Sequence, residues 1–500
     1  ELKVKAFTEP LLSLAGFEEM TKTAEKSSGL ISVTGCIDAQ KSQMIYAFGG
    51  HRKNKLIVTF GEQKAKELYD EYSFFDKEVV YYPSKDVLFY QSDIRGNLLT
   101  AERIRALKAI REQERVTLVT TFDALMNTMA PIEKMWENVL TLELGQLLDL
   151  KEIQAALIRM GYEKEYQVQT MGQFSVRGGI LDVFPLTEEN PIRIELWGDE
   201  IDTIRYFDCE SQKSIENIDR VSIYPAAELV LSDEEKAGGI DKLKAEAKRV
   251  SDKLRKQMKT EEAHRVTVMA DELTEEWGEL YMYAGMDAFL SYFFDERVGL
   301  LDYFKPSDSL IFFDELTRCV EQGKLTETEF SESMKQRLAM GYILPGQMNG
   351  LFTEKEIVAK LEKYSCIALG ALDNKANGLR QLGSYGIHCQ SVSPYNNSFE
   401  LLIKDLKRYK KNGYRVILLS GSRTRAKRLS EDITDQGITC FYTENYDHEL
   451  FEGQIMVCYG KVRRGFEYPI LKFAVITESD IFGAQQKKKK RHRTYEGEKI

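Results

Sequence analysis

The sequence contains no run of about eighteen or more apolar residues, the length a helix needs to cross a bilayer. Its amino terminus also lacks the basic segment and apolar core of an export signal. A membrane partner is therefore not expected, and a cytoplasmic location is. The cysteines (Cys36, Cys209, Cys319, Cys366, Cys389, Cys440 and Cys458) form no C-x-x-C pair, and no histidine stands at ligand spacing from them. That excludes the common zinc signatures and a disulfide framework, leaving free thiols and no metal site as the expectation. Nor is there an excess of positive charge. With 79 acidic and 69 basic side chains the net charge is −10, so any nucleic-acid contact has to be local. The chain opens on Glu1 rather than Met and stops soon after a basic run, from which a piece of a longer protein is expected.

What is present is a pattern of alternating elements. At roughly 150 residues per domain the length suggests about three units. Between 30 and 127, β-rich runs (ISVTG, KLIVTF, VVYYP, VTLVTT) alternate with helical stretches, the signature of a parallel sheet with crossover helices. The run 142–160 reads as a helix closed by Gly161, and 165–225 as short strands separated by turns. Charged, helical sequence follows over 233–295, with Ile240, Leu243, Ala247, Val250, Leu254 and Met258 spaced three and four apart, as in a helical hairpin. SLIFFDEL (309–316) resumes the α/β pattern. The expected organisation is a P-loop-like α/β domain in two parts (1–141 and 229–364), a β-rich insertion (142–228), a third α/β domain (365–482) and a basic linker (483–500). In that linker, KKKKRHR (487–493) is a charge block that cannot pack.

A working phosphate loop needs G-x-x-x-x-G-K-[ST] after a strand. VTGCIDAQKS supplies Gly35, Lys41 and Ser42 in one register, but Gln40 replaces the second glycine; in the other register Asp38 falls where the lysine belongs. Asp314 and Glu315, after LIFF, resemble a strand-end acidic pair of the kind that holds Mg²⁺. The expectation is an inactive nucleotide site, with no cofactor for this chain and no catalytic residue. A second candidate lies in the insertion. Alternation over Ile192–Trp197 turns Ile192, Ile194 and Leu196 to one side and Arg193, Glu195 and Trp197 to the other; Arg177 follows Phe174 and Val176 in the same way. Trp and Arg are enriched at interface hot spots, worth about 2 kcal/mol or more each. Pattern alone leaves two readings of Trp197 open, an interface anchor or a cover for its own sheet.

The segments GQFSVRGGILDVFP, PIRIELWGDEIDTIRYFD and SQKS resemble the small β domain shared by UvrB and the bacterial transcription-repair coupling factors (Mfd). YYPSKDVLFY, LLTAERIRALKAI, LLDYFKPSDSLIFFDE, AMGYILPGQMNG and GFEYPILKFAVITESDIFG extend the resemblance over nearly the whole chain. The degraded loop, and a segment Ser84–Asn97 too short for UvrB's aromatic hairpin, favour the coupling factors. The resemblance implies a degenerate UvrB-like module whose β domain binds UvrA through Arg177, Arg193, Glu195 and Trp197, the positions matching the family's motif. Ser175 departs from it, standing where UvrB-like sequences often carry another arginine. The resemblance further implies that RNA polymerase, double-stranded DNA, ATP and Mg²⁺ are engaged by family domains beyond this chain. A UvrB-like damage-binding ATPase or helicase is the alternative, and a nucleic-acid module acting through KKKKRHR a third.

Overall fold

The computed structural model describes residues 4–48, 53–86, 96–279 and 285–483. Gly29–Thr34 (β1), Asn54–Thr59 (β2), Val80–Tyr82 (β3) and Val116–Thr121 (β4) are almost wholly buried, as strands covered by helices on both faces must be. The chain then leaves for an inserted unit made of Leu140–Glu143 (β5), Glu163–Lys164 (β6), Gln173–Arg177 (β7), Ile180–Val183 (β8), Ile192–Trp197 (β9), Glu200–Phe207 (β10), Ser214–Asn217 (β11) and Arg220–Ile223 (β12). It returns with Ser309–Asp314 (β13), Ser365–Leu369 (β14) and Gln381–Gly386 (β15). The first sheet runs β15-β1-β14-β13-β2-β4-β3, parallel at every pairing. The fold is α/β, with a large parallel sheet and an inserted β-rich unit.

The third unit does not begin at 365 as the sequence suggests. β14 lies between β1 and β13, and β15 pairs with β1, so both complete the first sheet. A short buried strand such as CIALG looks the same in any parallel sheet; only pairing tells which sheet takes it. The third unit is a separate sheet of Gln390–Ser391 (β16), Arg415–Ser420 (β17), Phe441–Tyr442 (β18), Ile455–Tyr459 (β19), Phe466–Tyr468 (β20) and Phe473–Thr477 (β21), in the order β16-β20-β21-β17-β19-β18. The helix Asp38–Phe48, which follows β1, is buried on nearly every side. One apolar cluster joins it and first-sheet residues such as Ile31 and Phe312 to Leu419, Met456 and Phe473 of the third sheet. The Tyr468 hydroxyl crosses from that sheet to Gln43 Oε1 at 3.3 Å.

The expected helix over 142–160 is also shorter than its pattern. Its first residues form β5, paired antiparallel with β12, and the helix spans only Leu150–Arg159. Asp149 sets its start by accepting the Lys151 and Glu152 amides at 2.7 and 3.4 Å. Asp149→Ala is expected to destabilise the unit by about 1 kcal/mol, read from a urea unfolding midpoint. The β5–β12 ribbon forms the neck of the insertion, and β11-β10-β9-β8-β7-β6 form its sheet, with Phe174, Leu181, Val183, Ile192 and Ile194 turned into the core. The helices Asp233–Lys256 and Thr260–Glu279 pack as a hairpin, opened by a Ser232–Glu235 capping box. Met258 leaves the expected stripe; it stands in the turn at φ +61° and is exposed. Most of the Ser84–Asn97 segment, and all of 487–493, lie outside the described residues.

Candidate functional site

The phosphate-loop positions come together, but the loop amides and the lysine are already engaged by other parts of the chain. The Gly35 and Cys36 amides, which would face a phosphate, donate to the carbonyls of Ala371 and Gly370 at 3.1 and 3.0 Å. Gly35 has φ +78°, and a Cβ there would lie 2.1 Å from the Ile387 carbonyl oxygen, so chain packing alone requires this glycine. Gln40 occupies the second glycine's place, fully buried. The Lys41 amine is bound by Asp314 Oδ1 at 2.5 Å, Glu315 Oε1 at 2.9 Å and Asp38 Oδ1 at 3.1 Å. Burial alone would push that amine down; the Asp314 and Glu315 carboxylates outweigh it and hold it above its ordinary value. The other Asp314 oxygen accepts the Thr59 hydroxyl at 2.8 Å. Ser42 Oγ is sealed from solvent with no hydrogen-bond partner among the described residues. A triphosphate with Mg²⁺ would need these same amides, amine and carboxylate oxygens, so the residues present do not fit one.

The insertion presents a different arrangement. Directly opposed residues of antiparallel strands share a face, and the register places Ser175, Asp182, Arg193 and Arg205 in one row across β7, β8, β9 and β10. Asp182 is buried, and its carboxylate accepts Arg193 Nε at 2.7 Å, Arg193 Nη2 at 2.8 Å and Arg177 Nη2 at 3.0 Å. Arg193 also donates to Gln212 Oε1 at 2.8 Å, and its guanidinium lies 4.3 Å from the Phe207 ring centre. Glu195 is held by Arg205, with Nη1 to Oε2 at 3.0 Å, and by the Thr203 hydroxyl at 3.1 Å. The bond from Arg205 keeps the Glu195 carboxyl below the usual carboxylate range.

Trp197 ends β9 and is 84% exposed. Beside it Gly198, at φ +66°, supplies the left-handed conformation of the β9–β10 turn. The Leu196 amide donates to the Gly179 carbonyl at 2.8 Å, so this turn and the β7–β8 turn adjoin. Arg177 and Trp197 thus stand at one end of the sheet, on its polar face. Arg193 and Glu195 lie on that face too, but engaged by neighbours. Sequence reasoning missed Asp182, Arg205 and Gln212. The alternation in ILDV did put Asp182 on the polar face; what it meets there depends on a strand register that the sequence does not state.

A second ionic cluster fixes the neck of the insertion. Arg103, wholly buried on the helix Gly96–Glu112, donates Nε and Nη2 to Glu228 at 2.7 and 3.2 Å and Nη1 to the Pro83 carbonyl at 2.6 Å. Lys85 links Glu228, at 3.1 Å, to Asp287, at 2.6 Å. The same helix reaches Glu188 through Lys108 at 3.1 Å and Tyr224 through Glu112 at 2.6 Å.

Residues 140–229 match the protein family described as the UvrB interaction domain, a span that begins at β5 and ends just after β12. Over 442 residues the chain is 28% identical to a transcription-repair-coupling factor of Bacillus subtilis, covering 87% of this chain and 36% of that protein. Proteins of the same name from Staphylococcus haemolyticus and Staphylococcus aureus are 27% and 26% identical over 464 and 481 residues, covering 92% and 95% of this chain. They bear out the resemblance read from the motifs. The chain spans 36–40% of the length of these relatives. No described helix is long and apolar enough to cross a membrane.

Proposed function

We propose that this chain is a non-catalytic recruitment module of a transcription-coupled repair factor, and that the polar end of its inserted sheet binds UvrA. The observation that carries this reading is Trp197: a large aromatic, 84% exposed, at the same end of the sheet's polar face as Arg177 and inside the segment that matches the UvrB interaction domain. An aromatic and an arginine on one exposed face have the composition of an interface hot spot, and a side chain that merely covered its own sheet would be buried. Recruitment of excision repair to stalled RNA polymerase, and ATP-driven motion on double-stranded DNA, would be the work of the larger protein. The alternative, a UvrB-like ATPase, would need Lys41 and Asp314 for nucleotide, and each is engaged by the other.

Titration calorimetry against purified UvrA, with ATP hydrolysis assayed on the same sample, tests the proposal. Micromolar or tighter binding without turnover is expected, and combined Trp197→Ala and Arg177→Ala substitution is expected to weaken it by about a hundredfold or more, two hot-spot truncations together. Unchanged binding by that variant would overturn the site assignment; DNA-stimulated turnover would favour the enzyme reading.

A further inference from the structure

We propose that Asp182 is the positioning residue of this face, and that it holds Arg177 ready to receive a carboxylate of UvrA. The inference rests on the UvrA reading above and adds a division of labour among the charged residues. Arg193 offers little to a partner. Its side chain is only 13% exposed, with Nε and Nη2 on Asp182, Nη2 also on Gln212, and its plane against Phe207. Glu195 is cancelled by Arg205. Arg177 differs: its side chain is 37% exposed and places one nitrogen, Nη2, on Asp182. A guanidinium carries five N–H donors, so among the described residues Arg177 keeps an exposed edge with donors to spare.

Charge points the same way. Two guanidiniums surround one buried carboxylate, leaving one uncompensated positive charge, and it resides at the more exposed arginine. A planar fork with surplus charge is matched best by a carboxylate, which can take two parallel hydrogen bonds. Asp182 sets the direction of that fork. It stands opposite Arg193 in the β8–β9 register and three residues from the Gly178–Gly179 turn, so the guanidinium is tethered to the rigid sheet and not to the turn. Arg193, bidentate on the other side, keeps the Asp182 carboxylate from rotating toward Arg177 and burying it. Asp182 and Arg193 are thus supports, and Arg177 and Trp197 the groups that reach the partner.

A double-mutant cycle tests this. Wild type, Asp182→Asn, Arg177→Ala and the double variant are titrated with UvrA, with melting curves on each. Each single substitution is expected to weaken binding by about tenfold or more, and the double to be no weaker than Arg177→Ala alone, because Asp182 acts through Arg177. Unchanged affinity in Asp182→Asn, or losses that multiply in the double variant, would overturn the proposal. If Asp182→Asn does not fold, Arg177→Lys decides: it keeps the charge and loses the fork, and an affinity equal to wild type would refute the carboxylate match. Trp197→Ala separates this inference from its premise. If Trp197→Ala and Arg177→Ala both leave binding intact, the recruitment surface itself is wrong; loss with Trp197→Ala alone leaves the surface standing and removes the role of Arg177 and Asp182.

Discussion

Replacing Lys41 with alanine is expected to destabilise the chain by about 3–5 kcal/mol, the range for removing one partner of a buried ion pair. The loss leaves Asp314, almost fully buried, with a carboxylate facing Glu315 and no cation between them. In a working phosphate loop the same substitution would remove activity and largely spare the fold, because the lysine serves a ligand that comes and goes. Here it serves the sheet: β1 leads into the lysine's helix, β13 ends in Asp314, and β14 separates the two strands. Urea unfolding of Lys41→Ala against wild type measures the cost, and a midpoint unchanged within error would refute the structural role. The pH dependence follows from sign. The folded-state amine is raised above its ordinary value, so its contribution is complete below the ordinary lysine range and fades only as strongly alkaline pH passes through the raised value. Across neutral and acidic pH the amine stays charged, so its contribution is present in full and its own titration adds no pH dependence there.

The sequence made the elements legible where period and burial agree. Buried runs such as LIVT and VTLVTT declared a parallel sheet, the alternation of Ile192–Trp197 declared a two-faced strand, and the three-and-four spacing after Ser232 declared the hairpin. It failed where the answer lay in pairing. CIALG could belong to either sheet, and only its seat between β1 and β13 assigns it to the first. The residues of the degraded phosphate loop were identifiable by motif, yet the clamp of Lys41 on Asp314 joins positions 273 residues apart. On the polar face of the inserted sheet the outward residues could be read from alternation, whereas Asp182, the carboxylate that binds Arg177 and Arg193, was a lone acid in an apolar strand. Polar residues that look like surface in one dimension became the most buried charges once strands were set side by side.

Arg103 makes the same point with a second large effect. Arg103→Ala is expected to cost about 3–5 kcal/mol, since Glu228 would stay buried with Lys85 as its remaining cation. The effect should reach further than stability. Glu228 lies at the exit of the insertion, and the helix that carries Arg103 also holds Glu188 and Tyr224, so this cluster joins the β unit to the parallel sheet. Burial would raise the Glu228 carboxyl, but Arg103 and Lys85 outweigh it and hold it below the ordinary carboxylate range. A depressed carboxylate contributes stability that is complete above its unfolded value and is lost as pH falls toward the folded one. Wild type should therefore weaken steadily as pH drops below about 5, and Glu228→Gln should flatten that limb while lowering stability at neutral pH. Circular-dichroism melts across an acid series read both. If the limb keeps its slope in Glu228→Gln, other carboxylates govern acid unfolding and the neck cluster is not the titrating element. Limited proteolysis at neutral pH adds the spatial readout: Arg103→Ala should expose the connections on either side of the 140–229 unit before the sheet cores open, because without the ion pair that seats it the unit swings free of the parallel sheet first.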